Sequence, residues 1–246
     1  MPVFLGVAAD GKEKWDDLTA FPHLLIAGTT GSGKSVFLNS VILNLMALSD
    51  KQPINMVLID PKRVEFAPFA GVKQLAHSII TETDDARNLL SEAEALMEER
   101  YKLISKASVR NIGDYNKKKK AGKKMPYLFV LIDEFADLIM QDRSGNVKDS
   151  VIRLAQKSRA VGIHVVIATQ RPSAKVIDGL IKANFPARIA FKTASKVDSR
   201  IILDENGAED LLGQGDMLAK TSGDEARRLQ AAYVSIEEVN KIVGGQ

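Results

Sequence analysis

Short apolar runs alternate with longer amphipathic stretches along most of the chain. The runs predict strands at residues 23–28, 54–60, 127–133, 164–170 and 188–191. Each run is almost continuously apolar, as is typical of strands covered on both faces. Because strands and helical patterns alternate, we expect an α/β fold with a mostly parallel sheet, right-handed crossovers and helices on both faces.

The longest amphipathic stretch predicts a helix that begins near Asp84. Asp84 and Asp85 suit the positive amino end of such a helix. Its buried-face positions repeat at three and four residues, at Leu89, Ala93, Leu96, Met97, Arg100 and Ile104. Further helices are predicted at residues 147–161, 173–182, 195–204 and 235–243.

The two ends of the chain complete the predicted domain. Residues 3–18 predict a short hairpin around Asp10 and Gly11, and residues 229–234 predict a last strand. We find no internal repeat and no long linker. We therefore expect a single domain over residues 1–246, with residues 1–21 as an N-terminal strand or hairpin extension.

Composition narrows the class of protein. The 246 residues are 45% hydrophobic and 26% charged, an ordinary globular balance. The absence of cysteine excludes disulfides and cysteine metal sites and fits a reducing cytosol. No apolar run approaches the roughly 20 residues that span a bilayer, and the first residues lack the pattern of a signal peptide. We expect a cytoplasmic chain that makes no membrane contact of its own.

The charge of the chain permits a nucleic-acid partner without requiring one. The formal net charge is +3, so any basic surface must be focused in space. Residues 117–124 carry six lysines in eight positions. Two interpretations stay open for this segment: a solvated, mobile loop, as blocks of like charge usually are, or a non-specific contact to phosphate.

Residues 28–35 read GTTGSGKS and fit the phosphate-binding loop G-x-x-x-x-G-K-[ST], between a strand and a helix. Backbone N–H groups and the helix amino end of such a loop cradle phosphates. We expect Lys34 to reach the β- and γ-phosphates and the Ser35 hydroxyl to bind Mg²⁺. The expected nucleotide-binding residues are Thr29, Thr30, Gly31, Ser32, Gly33, Lys34, Ser35 and Val36. The chain is therefore expected to bind a nucleoside triphosphate.

An acidic pair follows the apolar run that ends at Ile132, which is the Walker B pattern. We expect Asp133 to help Ser35 hold Mg²⁺ and Glu134 to orient and polarise the attacking water. The alternative for Glu134 is an acid that favours the amino end of the next helix. Asp60 is a competing Walker B candidate, but no second acid follows it.

Gln170 ends another apolar run, and ligands of open α/β sheets bind at the carboxyl ends of strands. Its amide is a candidate sensor of the γ-phosphate. An ordinary strand-end glutamine is the alternative.

Several stretches match known motifs in a fixed order. They are residues 22–35, 59–62 with Glu65, 98–101, 110–112 with Tyr115 and Asn116, 133–138, 168–173, 179–184 and 211–218. Together they resemble the motor domain of the FtsK/SpoIIIE family of double-stranded DNA translocases. The resemblance implies a RecA-like P-loop ATPase that uses ATP and Mg²⁺. It also implies a homo-oligomeric ring, usually a hexamer, around duplex DNA.

The resemblance also implies roles for cations outside the phosphate loop. Arg159 matches the position of an arginine that acts on the ATP of a neighbouring subunit, with Lys157, Arg153 and Arg188 as rivals. Its alternative role is an exposed cation at a helix end. The residues that match DNA-gripping loops are Arg171, Lys182, Lys196 and Arg200. In a ring, such cations would form a focused positive channel.

Full-length members of the family carry N-terminal helices that tether them to the inner membrane, a further ring subdomain and a winged-helix domain. None of these is visible in this sequence, so we expect an excised motor or a compact relative. The loop at residues 116–125 is also shorter than is usual in the family and rich in lysine.

The expected function is an ATP-driven double-stranded DNA translocase with little sequence preference, because backbone contacts carry no base information. The alternative is a related ATPase that drives polypeptide secretion. A P-loop kinase of small molecules is a third class, but it would need an acceptor pocket and a lid that no feature of the sequence indicates.

Overall fold

Nine strands form one mixed sheet in the computed structural model, which describes residues 1–221 and 225–245. The strands are β1 (Pro2–Ala8), β2 (Glu13–Asp17), β3 (His23–Ala27), β4 (Ile54–Ile59), β5 (Tyr127–Ile132), β6 (Ile163–Thr169), β7 (Ala187–Phe191), β8 (Asp216–Lys220) and β9 (Arg227–Gln230). Their order in the sheet is β2-β1-β9-β8-β7-β3-β6-β5-β4.

The parallel half of the sheet runs from β7 through β3, β6 and β5 to β4. Ala27 lies opposite Thr169 on one side and Ala190 on the other, so these strands end together at one edge. We call this the carboxyl edge. The strands β8, β9, β1 and β2 add an antiparallel half. The predicted parallel sheet is thus only part of a mixed one, because β1 with β2 and β8 with β9 pair as antiparallel neighbours along the chain.

Helices cover both faces of the sheet, as predicted. They are α1 (Lys34–Ser49), α2 (Thr83–Lys106), α3 (Ile112–Lys117), α4 (Phe135–Gln141), α5 (Asn146–Lys157), α6 (Gly179–Asn184), α7 (Lys196–Leu203) and α8 (Ile236–Gly244). In β3, Leu25 joins the buried cluster that contains α2 and α5, whereas Leu24 joins the cluster that contains α1 and the β1–β2 hairpin. Among the described helices, none has the length and apolar character to cross a bilayer.

Two expected elements differ in their bounds from the structure, and one strand was not expected. The helix expected at residues 173–182 is α6, which begins at Gly179 because the Asp178 side chain caps it by accepting a hydrogen bond from the Ile181 N–H. The strand expected at residues 229–234 ends earlier, at Gln230. We did not predict β8, which is only five residues long and has a charged residue at each end, Asp216 and Lys220.

The lysine-rich segment lies between α3 and β5, at the amino edge of the parallel strands. The Asn116 side chain closes this loop by hydrogen-bonding both backbone groups of Met125, at 2.8 and 2.9 Å. Within the loop, residues Ala121–Lys123 form a 3₁₀ turn. The Lys119 ammonium lies 4.8 Å from the centre of the Tyr115 ring. The segment is therefore a clamped loop with exposed lysines.

Candidate nucleotide-binding site

A cavity of about 600 Å³ opens at the carboxyl edge, where β3 gives way to α1. Its described lining residues are Thr29, Thr30, Gly31, Gly33, Lys34, Ser35, Val36, Glu65, Gln170, Gln214, Gly215, Ala231 and Tyr233. Seven of the eight predicted nucleotide-binding residues thus line one cavity. The eighth, Ser32, is buried behind the loop and accepts a hydrogen bond from the Gly215 N–H through its carbonyl, at 2.8 Å.

The phosphate loop has the backbone that its glycines permit. Gly31 and Gly33 have φ values of 76° and 106°, which side chains with a Cβ rarely adopt. A Cβ on Gly33 would lie 2.4 Å from the Gly215 nitrogen. The residue must therefore be glycine for residues 213–215 to pack against the phosphate loop, and this contact forms one wall of the cavity.

Lys34 and Asp133 form a buried ion pair beneath the cavity. The Lys34 Nζ lies 2.5 Å from the Asp133 Oδ1, and both side chains are almost fully buried. Burial raises the pKa of Asp133 above its usual value of 3.8, and the nearby Lys34 charge opposes that shift. The Lys34 ammonium therefore offsets the charge of the buried Asp133 carboxylate.

The same aspartate has a carboxylate oxygen that is free to bind a metal ion. Its Oδ2 is buried and has no hydrogen-bond partner among the described residues, and the half-buried Ser35 lines the cavity above it. The described residues contain no cluster of three metal-ligating side chains. Proteins usually hold Mg²⁺ with one or two carboxylates, water and substrate phosphates. Ser35 and Asp133 therefore suit Mg²⁺ bound together with a nucleotide.

Glu134 follows β5 with φ 46° and ψ 60°, an uncommon left-handed conformation for a side chain of its size. Its carboxylate is fully buried and accepts hydrogen bonds from the Thr169 hydroxyl at 2.7 Å and the Gln170 N–H at 3.2 Å. The Lys62 ammonium lies 3.1 Å from its other oxygen. These contacts hold the strained residue in place, and Glu134 is not among the described residues that line the cavity.

Lys62 also lies 3.4 Å from Asp137. Partial burial disfavours its charged form, but hydrogen bonding and attraction from the Glu134 and Asp137 carboxylates outweigh this and raise its pKa above 10.5. Lys62 is therefore a fixed positive charge beside Glu134. The buried Asp60 orders the same loop by accepting hydrogen bonds from the Lys62 and Phe66 N–H groups, which is a structural role for the competing Walker B candidate.

Gln170 connects the phosphate loop to Glu134. Its side-chain oxygen accepts a hydrogen bond from the Thr30 hydroxyl at 2.9 Å, while its backbone N–H donates to Glu134. The residue also lines the cavity. A displacement of Thr30 in the phosphate loop can therefore be passed to Glu134 through the single residue Gln170.

Arg159 lies far from this cavity. It is exposed in the 3₁₀ turn Ser158–Val161, which precedes β6 at the amino edge of the sheet. The seven-residue β6 separates it from Gln170 by about 23 Å. The rival arginines, Arg153 and Arg188, are ion-paired with Glu94 and Asp204, whereas Arg159 makes no ion pair within residues 1–221 and 225–245.

The four cations matched to DNA-gripping loops do not share one position. Arg171 is exposed just after β6, and Lys196 and Arg200 are exposed on α7, which begins beyond the carboxyl end of β7. Lys182 instead precedes β7, and its Nζ lies 2.6 Å from Asp204. The structure therefore brings Arg171 and Lys196 to the carboxyl edge and holds Lys182 in an ion pair near the opposite edge.

Sequence reasoning assigned no role to several residues of the site. Lys62 and Glu65 lie in the stretch after β4 that carries the family resemblance, which was an available signal. Thr169 ends an apolar run, as Gln170 does. The remaining residues reach the cavity from the antiparallel half of the sheet. Gln214 and Gly215 lie in the matched stretch 211–218, which was an available signal, whereas no local motif marks Ala231 and Tyr233.

Comparison with known proteins identifies the family. The model of the FtsK/SpoIIIE family matches residues 1–174. Over 250 residues the chain is 47% identical to a DNA translocase FtsK of Leptospira interrogans, covering 99% of this chain and 26% of that protein. Over 255 residues it is 44% identical to the DNA translocase FtsK of Chlamydia trachomatis, covering 99% of this chain and 32% of the other. The chain belongs to the FtsK/SpoIIIE family.

Solved structures support the fold. The pCW3 conjugation coupling protein TcpA, in a monomer form with ATPγS, is 34% identical with a TM-score of 0.85, covering 99% of this chain and 70% of that one. The cytoplasmic domain of the type VII secretion ATPase EccC of Thermomonospora curvata is 24% identical with a TM-score of 0.82, covering 99% of this chain and 30% of the other. The α/β fold is therefore that of P-loop ATPases. The chain spans about a third or less of the length of the FtsK relatives named above.

Proposed function

We propose that this chain is the ATP-driven motor of a double-stranded DNA translocase. The observation that supports this most is the cavity at the carboxyl edge, which the phosphate loop and Gln170 line. Two of these lining residues contact the acidic pair, since Lys34 is ion-paired with Asp133 and the Gln170 N–H donates to Glu134. The names of relatives that match 99% of the chain point to DNA as the substrate.

Nucleotide binding would begin with an exchange of partners at Lys34. The ammonium now pairs with Asp133, and the phosphates of ATP would compete for it. Its departure leaves the second oxygen of Asp133, already without a partner, and the Ser35 hydroxyl to hold Mg²⁺. The metal ion would neutralise charge on the phosphate oxygens during transfer.

Hydrolysis would depend on Glu134 as the residue that orients and polarises water. In the described state its carboxylate is bound by Lys62, Thr169 and Gln170. Gln170 also contacts Thr30 in the phosphate loop, so it suits the role of a γ-phosphate sensor. Catalysis requires Glu134 to be freed at least in part from these partners.

In a ring, Arg159 of one subunit would act on the ATP bound by the next subunit. Arg159 lies at the edge of the sheet opposite its own phosphate loop, so it is badly placed for its own ATP. In a homo-oligomeric ring, which we expect to be a hexamer, it would reach the ATP of a neighbour and stabilise negative charge on the γ-phosphate.

The DNA contact would be made by exposed cations at the carboxyl edge and on α7, namely Arg171, Lys196 and Arg200. Contacts to backbone phosphates position a protein without reading sequence. Lys182 would join them only after leaving Asp204. Binding should therefore depend strongly on salt and weakly on sequence.

ATP hydrolysis measured with and without partners tests this proposal. Duplex DNA of unrelated sequences should stimulate hydrolysis, and an unfolded polypeptide should not. Stimulation by the polypeptide alone would favour the secretion ATPase. Phosphate transfer to a small acceptor, with no response to either polymer, would favour a kinase.

A further inference from the structure

The cavity is larger than the phosphate loop needs, and the roles assigned so far leave one wall unexplained. That wall consists of Gln214, Gly215, Ala231 and Tyr233. It comes from the β8–β9 region, remote in sequence from the phosphate-binding residues. A nucleotide anchored by its phosphates must place its sugar and base in the rest of this cavity.

Hydrogen bonds fix this wall relative to the phosphate loop. The Gly215 N–H donates to the Ser32 carbonyl at 2.8 Å, and the Ala231 N–H donates to the Gly215 carbonyl at 2.8 Å. The Gln230 side chain donates to the Gln214 carbonyl at 2.9 Å. A chain of contacts therefore runs from the phosphate loop to within two residues of Tyr233.

Tyr233 has no evident role in the core. It is 79% exposed and lies in the short extended segment between β9 and α8. The segment is held at both ends, since Ala231 is bonded to Gly215 and Ser235 caps α8 with a capping box. Tyr233 is the aromatic residue among the described residues that line the cavity. An exposed aromatic ring on a fixed segment at the rim of a cavity is suited to ligand binding.

The rest of the wall is closely packed and includes two small residues. Gly215 has φ 96°, and a Cβ there would lie 2.6 Å from the Gln230 side-chain nitrogen. Ala231 carries only a methyl group. Glycine at position 215 therefore lets Gln230 pack against the wall. Tyr233 carries the aromatic ring of the described lining, against which a flat ligand in the cavity can lie.

We propose that Tyr233 is the stacking platform for the nucleobase of the bound nucleotide. The inference rests on the proposed function, because it assumes that the phosphate loop holds a nucleotide. It adds a base-binding residue from the antiparallel half of the sheet. Stacking of a base on an aromatic side chain is worth roughly tenfold or more in affinity.

A comparison of a ligand that has a base with one that has only phosphates tests this directly. Dissociation constants for ADP and for inorganic pyrophosphate, both with Mg²⁺, would be measured for the whole chain and its variants. Tyr233→Ala should weaken ADP binding by about tenfold or more and leave pyrophosphate binding within about twofold. Tyr233→Phe should bind ADP as the parent does, since the ring is retained. Leu212→Ala is the matched control, because Leu212 is 81% exposed in the neighbouring segment but is not a described lining residue.

A fluorescent variant gives a second readout. Tyr233→Trp emission should change when ADP binds and stay constant when pyrophosphate binds, and the parent, whose single tryptophan is Trp15, gives the background. The inference would be overturned if Tyr233→Ala bound ADP as the parent does, or if its affinities for ADP and pyrophosphate fell equally. Neither result would contradict nucleotide binding at the phosphate loop. If the parent binds neither ligand, the proposed function fails and this inference with it.

Discussion

Lys62 and Glu134 form an ion pair 3.1 Å long between the segments that follow β4 and β5. The glutamate is fully buried, whereas the lysine side chain is 37% exposed. The pair therefore joins the candidate catalytic residue to a surface loop. Neighbouring Arg63 and Val64 are exposed on that loop. Binding of a partner to the loop can therefore move Lys62 and change its contact with Glu134.

Removal of Lys62 should release Glu134. We predict that Lys62→Ala raises ATP hydrolysis in the absence of DNA by up to about fivefold, as expected for the loss of a partly exposed ion pair of about 1 kcal/mol. The ratio of DNA-stimulated to unstimulated hydrolysis should fall accordingly. Steady-state rates with and without duplex DNA give both numbers.

Arg63→Ala is the matched control for that experiment, because Arg63 pairs with Glu82 and not with Glu134. It should leave both rates near those of the parent. A fall in both rates for Lys62→Ala would show that Lys62 helps Glu134 in catalysis, which contradicts a restraining role.

Substitutions of Lys34 and Glu134 should affect different steps, nucleotide binding for Lys34 and hydrolysis for Glu134. Lys34→Ala removes a phosphate contact and leaves Asp133 buried without its partner, so nucleotide binding should be lost together with hydrolysis. Glu134→Gln keeps the shape and should bind ATP, but hydrolysis should slow by at least about a hundredfold, the scale of general-base loss. Binding titrations beside turnover rates separate the two. Parent-like hydrolysis by Glu134→Gln would rule it out as the catalytic residue.

Arg159 should act between subunits. Arg159→Ala should lower turnover by about 10³-fold or more, as for other arginine fingers. Mixing Arg159→Ala subunits with Glu134→Gln subunits creates interfaces where an intact Glu134 meets an intact Arg159, so activity should partly return. Mass measurement would establish that the subunits mix. A parent-like rate for Arg159→Ala alone would exclude the finger.

Duplex DNA binding should distinguish the exposed cations from the paired one. Alanine at Arg171, Lys196 or Arg200 should weaken binding equally for unrelated sequences and reduce the salt slope by up to about one per lost contact. Lys182→Ala should have a smaller effect, because that lysine is already held in an ion pair with Asp204. Binding isotherms over a salt series would measure this, and a larger effect at Lys182 would contradict the assigned surface.

The sequence predicted the parts of the site that depend on local motifs. A glycine-rich loop between a strand and a helix indicates phosphate binding, and Lys34 and Ser35 of that loop line the cavity. Acidic and amide residues at strand ends meet because parallel strands end at one edge. This geometry brings Glu134 and Gln170 into contact.

The other features of the site depend on packing between segments that are distant in sequence, which a local sequence pattern cannot predict. Lys62 reaches Glu134 only because β4 and β5 are neighbours in the sheet. Tyr233 reaches the cavity only because β8 and β9 add to the sheet in antiparallel directions. Likewise, the Asp178 side chain caps α6, so this helix begins at Gly179 and not at residue 173, where the sequence pattern had predicted it.

Direct observation of movement on DNA tests the central claim. A third strand bound at one site on a long duplex serves as the obstacle, and its release is followed over time. With ATP and Mg²⁺ the parent chain should displace it, with a delay that grows with the distance from the nearest DNA end. Glu134→Gln should bind the duplex and leave the third strand in place. Displacement by Glu134→Gln, or by the parent without ATP, would contradict an ATP-driven translocase, as would hydrolysis by the parent with no displacement at any distance.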